Sequence, residues 1–474
     1  MSVLQGGGPE LCSGSVFAEG LVHLMSESHL PMEFPFDNKR RHYCAAHGAM
    51  GGLCDVHDSD PLPPPKPAPV ALQAALAHVP IVVTAGARHQ YLYHTLTTLL
   101  AAPGALHHNI LVVLGDAPPS TTSLLHLLGV NFTSVAVSGH DNDKLFRYYR
   151  AVFRLLERSF PDAPAAILLD EDVEVSPDFF SFFSQTLWLL HADPSLYCIN
   201  TYSATGFSNR VFHPSRVLRG SMQVQWGYAV TLDFVREALA VWPKDARDTN
   251  IVIYDYWLYI FARRQRECLY PEMSRVLHYG KGTNAGGHVS ERAFLNKPLL
   301  LETNVQLEAV EHLRLPVWRL DLARNISQAK TLVGNPCGAA FLPPPPAPFR
   351  HYVFYYRLDV TPEGTPDMTQ SFHLHSCVGG WAFSEQGQHE GVSVVTVGLH
   401  TTLYLVGVPY SSYSHLRPPA TEVWDINLIP EEQFLIVKAN DLHKDEFMPV
   451  IANREVDEDS LLRLLSRPVP SHST

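Results

Sequence analysis

The sequence predicts an α/β fold: a mainly parallel sheet with helices on both faces, followed by a small β-rich C-terminal module. Three observations predict it. Short apolar runs alternate with helix-length segments from Pro80 to Phe160, the order that βαβ units produce. The run Ala165-Ala166-Ile167-Leu168-Leu169 is apolar throughout, as a strand buried on both faces requires. Beyond the prolines at 343–346, His351–Tyr356 and Thr402–Val408 read as strands.

Taken in order, residues 1–60 carry little periodicity, and Arg40-Arg41-His42-Tyr43-Cys44 is their one marked cluster. Residues 61–69 are proline-rich and read as a stiff linker. Pro80–Thr84 reads as a strand, and His89–Ala101 as a helix with Leu92, Leu96, Leu99 and Leu100 on one side. Ile110–Leu114 is a second strand, Thr121–Leu128 a short helix and Val135–Val137 part of a third strand. Asp143–Phe160 follows as a long helix, with Leu145, Tyr149, Val152, Phe153 and Leu156 at helical spacing. The run at Ala165 is the fourth strand. Tyr197–Asn200 is a further strand, Arg210–Met222 looks irregular, and Ala229–Trp242 is a strand leading into a helix that stops at Pro243. This division sets a stem-like segment with linker at 1–73, the α/β domain at 74–336, the β-rich module at 337–430 and a mixed acidic tail at 431–474.

The chemistry concentrates where the fourth strand should end. Asp170, Glu171 and Asp172 arrive together there, and in open α/β sheets the ligand crevice lies at the carboxyl ends of strands. Like charges this close repel, and a hard divalent cation relieves them, so the triplet reads as a metal and nucleotide-phosphate site. A solvated acidic turn is the alternative. Ser176-Pro177 is expected to cap and open a helix with Asp178 near its start. Further on, Asp255 sits among Tyr254, Tyr256 and Trp257. A carboxylate in a partly dry aromatic setting suits a general base, while a helix-start acid beside packed rings is the plainer reading. The glycine-rich stretch His278–His288 reads as a lid or as a long surface loop. The sequence contains no GxGxxG or Walker loop, so a nucleotide would be held differently from a dehydrogenase or P-loop enzyme.

Composition narrows the class. The 474 residues are 46% hydrophobic and 17% charged, which describes a globular protein. The net charge of −12 argues against a nucleic-acid partner. There is no run of about 18 apolar residues and no signal peptide at the start, so no transmembrane segment is expected. Seven cysteines without zinc spacing suggest a disulfide framework, and Asn131-Phe132-Thr133 and Asn325-Ile326-Ser327 are glycosylation sequons.

Leu168–Val175 with Asp178-Phe179-Phe180 resembles the acidic motif of the N-acetylglucosaminyltransferase I family. The resemblance extends through Ala85-Gly86-Ala87-Arg88 with Tyr91-Leu92-Tyr93, Phe180–Gln185, Ser195–Ile199, Arg266-Glu267-Cys268, Pro271, Ser274-Arg275, Asn335-Pro336-Cys337 and Val406–Pro409. It runs from about Arg41 to about Pro419 in one order. It implies a GT-A nucleotide-diphospho-sugar transferase fold. The implied reaction is an inverting, Mn²⁺-dependent transfer of N-acetylglucosamine from UDP-GlcNAc to the 2-hydroxyl of O-linked mannose. The implied setting is the Golgi lumen or membrane, with a mannosylated, dystroglycan-like glycoprotein as acceptor. On matching positions Asp172 is the implied metal ligand, Arg88, Asp170 and Glu171 contact the nucleotide sugar, Asp255 is the catalytic base, and Trp381 and Trp257 meet the acceptor. Cys44–Cys54, Cys198–Cys268 and Cys337–Cys377 are the implied disulfides.

The chain also departs from the family pattern. Tyr148 stands where the family has histidine, Tyr259 where it has arginine, and Gln386 where an arginine partners the acceptor tryptophan. Asp170 replaces a glutamate, and Asp116 is displaced by one position. Two alternatives therefore stand beside the first reading: a transferase acting on another mannose acceptor such as an N-glycan, and an inactive sugar-binding homologue.

Overall fold

The computed structural model describes residues 38–47, 50–55, 62, 66–244, 251, 253–280, 297–338, 340–344, 347–381 and 385–430. The chain forms two compact units, Met1–Pro61 and Leu62–Thr474. In the first, a helix Asn38–His47 and a 3-10 turn Gly51–Cys54 are joined by the Cys44–Cys54 disulfide. Arg40 Nε donates to the Leu53 carbonyl at 2.6 Å, and the Arg40 guanidinium also donates to the Gly52 carbonyl at 2.8 Å.

The second unit contains strands β1 (Ile81–Ala85), β2 (Ile110–Gly115), β3 (Phe132–Val135), β4 (Ala165–Asp170), β5 (Val173–Val175), β6 (Leu196–Asn200), β7 (Val217–Gly220), β8 (Tyr228–Thr231), β9 (Glu267–Pro271), β10 (Val276–His278), β11 (Lys330–Thr331), β12 (His351–Leu358), β13 (Gln388–His389), β14 (Val392–Gly398) and β15 (Thr401–Pro409). Eight of them form the main sheet in the order β3-β2-β1-β4-β8-β6-β9-β7. The first four are parallel to one another, β8 runs antiparallel to both β4 and β6, and β7 is antiparallel to β9. Helices His89–Ala101, Pro119–Leu128 and Asp141–Ser159 make the crossovers between the parallel strands. Every residue from Ala165 to Leu169 is at most 2% exposed, and burying each leucine or isoleucine there is worth roughly 1.5–3 kcal/mol. In register, Thr84 faces Asp170 and Ala85 faces Leu114, so the carboxyl ends of β1, β2 and β4 share one edge.

Three local expectations change, and the acidic strand ends where its carboxylates predicted. The third strand starts at Phe132 because its backbone follows β2, from the Val112–Phe132 pair onward. The segment read as irregular contains β7, whose Arg219 interrupts the apolar pattern yet is 1% exposed. Arg219 is tolerated there because Asp193 and Glu267 accept its hydrogen bonds at 2.6 and 2.7 Å. The acidic strand ends at Asp170, and β5 leaves the main sheet to pair antiparallel with β10. The helix expected at Ser176 opens at Phe179. Asp178 does not cap it, because its carboxylate is ion-paired with Arg275 at 3.1 Å and accepts the Val305 N–H at 2.8 Å.

The module's sheet has the order β11-β12-β15-β14-β13, with β12 parallel to β15. Phe354, Tyr356, Leu358, Leu374, Leu403, Leu405 and Trp424 form its core. The Cys337–Cys377 disulfide ties the start of this region to the helix Thr369–Val378, and Cys198–Cys268 joins β6 to β9. Among the described residues no helix is long and apolar enough to cross a membrane. Residues 281–288 of the glycine-rich stretch and the tail 431–474 lie outside the described residues.

Candidate active site

The acidic turn Asp170-Glu171-Asp172 is built by the break between β4 and β5 and is braced from below. Thr95, on the buried side of the helix His89–Ala101, donates to the Glu171 carbonyl at 2.6 Å and to the Val173 carbonyl at 2.8 Å. Each carboxylate then takes a different partner. Asp170 accepts from Thr84 at 2.9 Å and from the Tyr149 hydroxyl. Glu171 accepts the Gly86 N–H at 2.7 Å and the Arg88 Nε–H at 2.7 Å. Asp172 lies 2.9 Å from Arg88 Nη1 and 3.4 Å from His278 Nε2.

These partners separate the three acids electrostatically. Burial pushes Asp170 up, and the Asp172 charge adds to it. Burial also raises Glu171, against the pull of Arg88. For Asp172 burial is outweighed by His278 and Arg88, which hold it below the usual carboxylate range. Asp172 is therefore the firmly ionised member of the turn. The backbone crowds it, since the Tyr279 N–H donates to its carbonyl at 3.2 Å and a Cβ on Gly280 would fall 2.1 Å from its Oδ2. Glycine at 280 is a steric requirement of the site.

A metal fits this donor set. Manganese takes carboxylate oxygen and imidazole nitrogen readily, and a divalent ion in a nucleotide site is held by one or two carboxylates with phosphate oxygens completing its shell. Asp172 supplies one carboxylate, and His278 Nε2, 3.4 Å from it, supplies an imidazole. Among the described residues no group of three or more His, Cys, Asp or Glu side chains is placed to hold a metal ion, so the diphosphate would have to supply the remaining ligands.

Asp255 lies on the short helix Tyr254–Trp257, which passes directly into a π turn, Leu258–Ala262. Burial pushes its carboxyl up to about 7. It is linked to the acidic turn by aromatic packing, because Tyr254 stacks on Tyr149 with centroids 3.4 Å apart and Tyr149 donates to Asp170. The loop between β7 and β8 reaches Asp255 and the imidazole beside Asp172. Trp226 stacks on His278 at 4.5 Å, and Gln225 lies beside Asp255.

Trp257, expected to meet the acceptor, is 1% exposed and packs against Phe146 and Trp242. The helix turns it inward, where its ring belongs to the packed core rather than to an open surface. Trp381 is 5% exposed, and Lys297 Nζ lies 5.3 Å from its ring centroid. The residues that depart from the family pattern are structurally employed. The Tyr148 hydroxyl donates to the Val113 carbonyl at 2.5 Å and accepts the Ala85 N–H at 3.1 Å, tying β1 to β2. Tyr259 donates to Glu385, and Arg263 covers the Tyr259 ring at 3.8 Å with a nitrogen 3.5 Å from Glu385. A positive charge thus returns one turn beyond position 259. Gln386 Oε1 accepts the Gln223 N–H at 3.2 Å, and Asp116 is ion-paired with Lys144 at 2.5 Å.

Thr95, Tyr149, Gln225 and His278 are the site residues that sequence reasoning did not single out. Thr95 carried one signal, a polar residue between Leu92 and Leu96 on the apolar side of its helix.

The GNT-I family matches residues 62–330, more than half of the chain. The Arabidopsis thaliana alpha-1,3-mannosyl-glycoprotein 2-beta-N-acetylglucosaminyltransferase is 24% identical over 127 residues, which take in 26% of this chain and 27% of that protein. The chain thus matches about a quarter of that relative's length. Among solved structures, glucosyl-3-phosphoglycerate synthase from Mycobacterium tuberculosis with Mn²⁺, UDP and phosphoglyceric acid is 12% identical, over 48% of this chain and 81% of its own, at a TM-score of 0.28. The mannosyltransferase PcManGT from Pyrobaculum calidifontis with GDP-Man and Mn²⁺ is 13% identical, over 57% and 64%, at a TM-score of 0.23. The main sheet with its flanking helices is of the GT-A type, with a separate small sheet beside it. The chain belongs to the GNT-I family.

Proposed function

We propose that this protein is an inverting N-acetylglucosaminyltransferase that moves N-acetylglucosamine from UDP-GlcNAc to the 2-hydroxyl of O-linked mannose on glycoproteins, forming a β-1,2 linkage. The observation that carries the proposal is the pairing of two unlike carboxylates. Asp172 is held ionised at the end of the sheet, and Asp255 is pushed up to about 7 across the aromatic link. The first suits a cation on a diphosphate and the second suits a base working near neutral pH.

In this reading Asp255 takes the proton of the acceptor hydroxyl as it attacks, and a single displacement inverts the sugar carbon. Arg88 and the Gly86 N–H fix Glu171, and Tyr149 and Thr84 fix Asp170, so both acids meet the nucleotide sugar in set positions. Mn²⁺, held by Asp172 with His278 beside it, would offset charge on the leaving diphosphate. Trp381 would offer its ring to the acceptor sugar. The three disulfides support an oxidising compartment such as the Golgi lumen.

A second reading, transfer to a mannose of an N-glycan, is favoured by the alpha-1,3-mannosyl-glycoprotein transferase of Arabidopsis thaliana to which the chain is similar. One assay separates them: UDP-GlcNAc with a mannosyl-O-threonine peptide or with a mannose-terminated N-glycan, each with Mn²⁺ and with chelator. Metal-dependent β-1,2 product on the peptide supports the first reading, and product on the N-glycan alone replaces it with the second. UDP binding without product on either acceptor would leave a sugar-binding homologue.

A further inference from the structure

The loop that joins β7 to β8, Ser221–Gly227, sets Gln225 beside Asp255 and Trp226 on His278, and Gln225 is a side chain no expectation had marked. Gln225 is 8% exposed. Its amide nitrogen points toward Gln223 Oε1 at 3.5 Å and lies within reach of the Asp255 carboxylate. With Gln223 presenting its oxygen and Asp255 ionised as a base must be, the Gln225 amide turns its NH₂ group toward them and presents its own oxygen on the other side. That oxygen, Oε1, is buried and finds no donor among the described residues. Buried acceptors of this kind are uncommon in folded proteins and call for an explanation.

The loop is held firmly enough for the orphan to be meaningful. Gln386 Oε1 accepts the Gln223 N–H at 3.2 Å, and Gln225 is followed by Trp226, which packs on His278 at 4.5 Å and on Tyr202 at 4.5 Å. Trp226 adopts a positive φ of 49°, a conformation that side chains other than glycine seldom take. Gln225 is thus pinned between the base and the imidazole of the donor site, with one acceptor left over.

We propose that Gln225 is a specificity-determining residue whose Oε1 accepts a hydrogen bond from the acceptor sugar, from the hydroxyl vicinal to the one that attacks. This rests on the function proposed above: with attack by the mannose 2-hydroxyl, the vicinal hydroxyl is on C3. One amide then serves two tasks, steadying the base with its nitrogen and reading the neighbouring hydroxyl with its oxygen. A sugar lacking that hydroxyl leaves the buried oxygen unpaired, and rejection of such analogues is the expected signature.

The test is steady-state transfer from UDP-GlcNAc to methyl α-mannoside and to its 3-deoxy and 4-deoxy analogues, for the wild type and for Gln225→Met. The wild type should use the 3-deoxy sugar at least about tenfold less efficiently than the parent, with little penalty for the 4-deoxy sugar. Gln225→Met should bring the 3-deoxy penalty close to one, raise the acceptor KM for the parent sugar and leave the UDP-GlcNAc KM unchanged. Should the variant not fold, the wild-type penalties alone decide. A wild type that transfers but ignores loss of the 3-hydroxyl, or a folded variant that keeps the full penalty, overturns the assignment of Gln225 and leaves the transferase intact. A wild type that glycosylates neither methyl α-mannoside nor the mannosyl-O-threonine peptide removes the proposed function, and this inference with it.

Discussion

Replacing Asp255 by asparagine removes a charge while keeping shape, and it should separate catalysis from stability. The carboxyl is pushed up to about 7 by burial, from an ordinary 3.8. The groups facing it are Asp170, Gln225, Tyr197, Tyr228 and Tyr254. A folded pKa above the unfolded one means that the folded state holds its proton longer, so stability falls as pH rises from about 4 to about 7. A rise of about 3 units corresponds to about 4 kcal/mol. Residual contact with solvent reduces this to about 2 kcal/mol. Asp255→Asn should therefore gain roughly 2 kcal/mol at pH 8, read as a Tm a few degrees higher, and should lose most of that gain by pH 5. Transfer should fall by at least about a hundredfold, with UDP binding preserved. In the wild type, kcat/KM should drop about tenfold for each pH unit below 7, since only the ionised base works. The assays are thermal melts at the two pH values and a kcat/KM profile. A variant no more stable at pH 8, or one that keeps full turnover, would refute both the buried charge and its role as base.

Three further outcomes follow from the donor side. Asp172→Ala should weaken Mn²⁺-dependent UDP binding at least about tenfold by calorimetry, and unchanged metal dependence would take Asp172 out of the site. Gly280→Ala should cost donor affinity with little change in Tm, because the added Cβ would press on the Asp172 carboxylate; an unaltered UDP-GlcNAc KM would show that the crowding is harmless. Arg275→Leu leaves the fully buried Asp178 carboxylate without its partner and should cost about 3–5 kcal/mol in denaturant unfolding, most of it recovered by adding Asp178→Leu. A single variant as stable as the wild type would mean that the pair contributes nothing.

What the sequence disclosed follows from how local each signal is. The strand at Ala165 and the helix at His89 are written in patterns shorter than about 15 residues, and they appear where those patterns put them. The acids at 170–172 and 255 were visible because charge or aromatic context stood out against neighbours. The partners that give those acids unlike properties were not visible. His278 lies more than a hundred residues from Asp172, and Tyr149 reaches Asp170 only through packing of its helix on the sheet. Strand β7 escaped notice because its central residue is an arginine, whose burial depends on Asp193 and Glu267, residues on other elements. Helix and strand periodicity reports burial of apolar surface. It is silent about polar groups that are buried because something distant satisfies them.

That same Arg219 network bears on how the two sheets depend on each other. Glu267 accepts from Arg219 on one oxygen and meets His389 Nδ1 at 2.8 Å on the other, while His389 Nε2 approaches the Tyr413 hydroxyl at 3.3 Å. A few residues away the Ser221 N–H donates to the Gln388 carbonyl, and the Gly387 N–H donates back to the Ser221 carbonyl at 2.7 Å. The small sheet therefore completes the hydrogen bonding at the outer edge of the large one. A recombined chain carrying a foreign C-terminal half would expose an unmatched carboxylate and an open strand edge, costs that few crossover events could survive. The two sheets are therefore expected to tolerate substitution in their loops far better than exchange of one sheet for a foreign one.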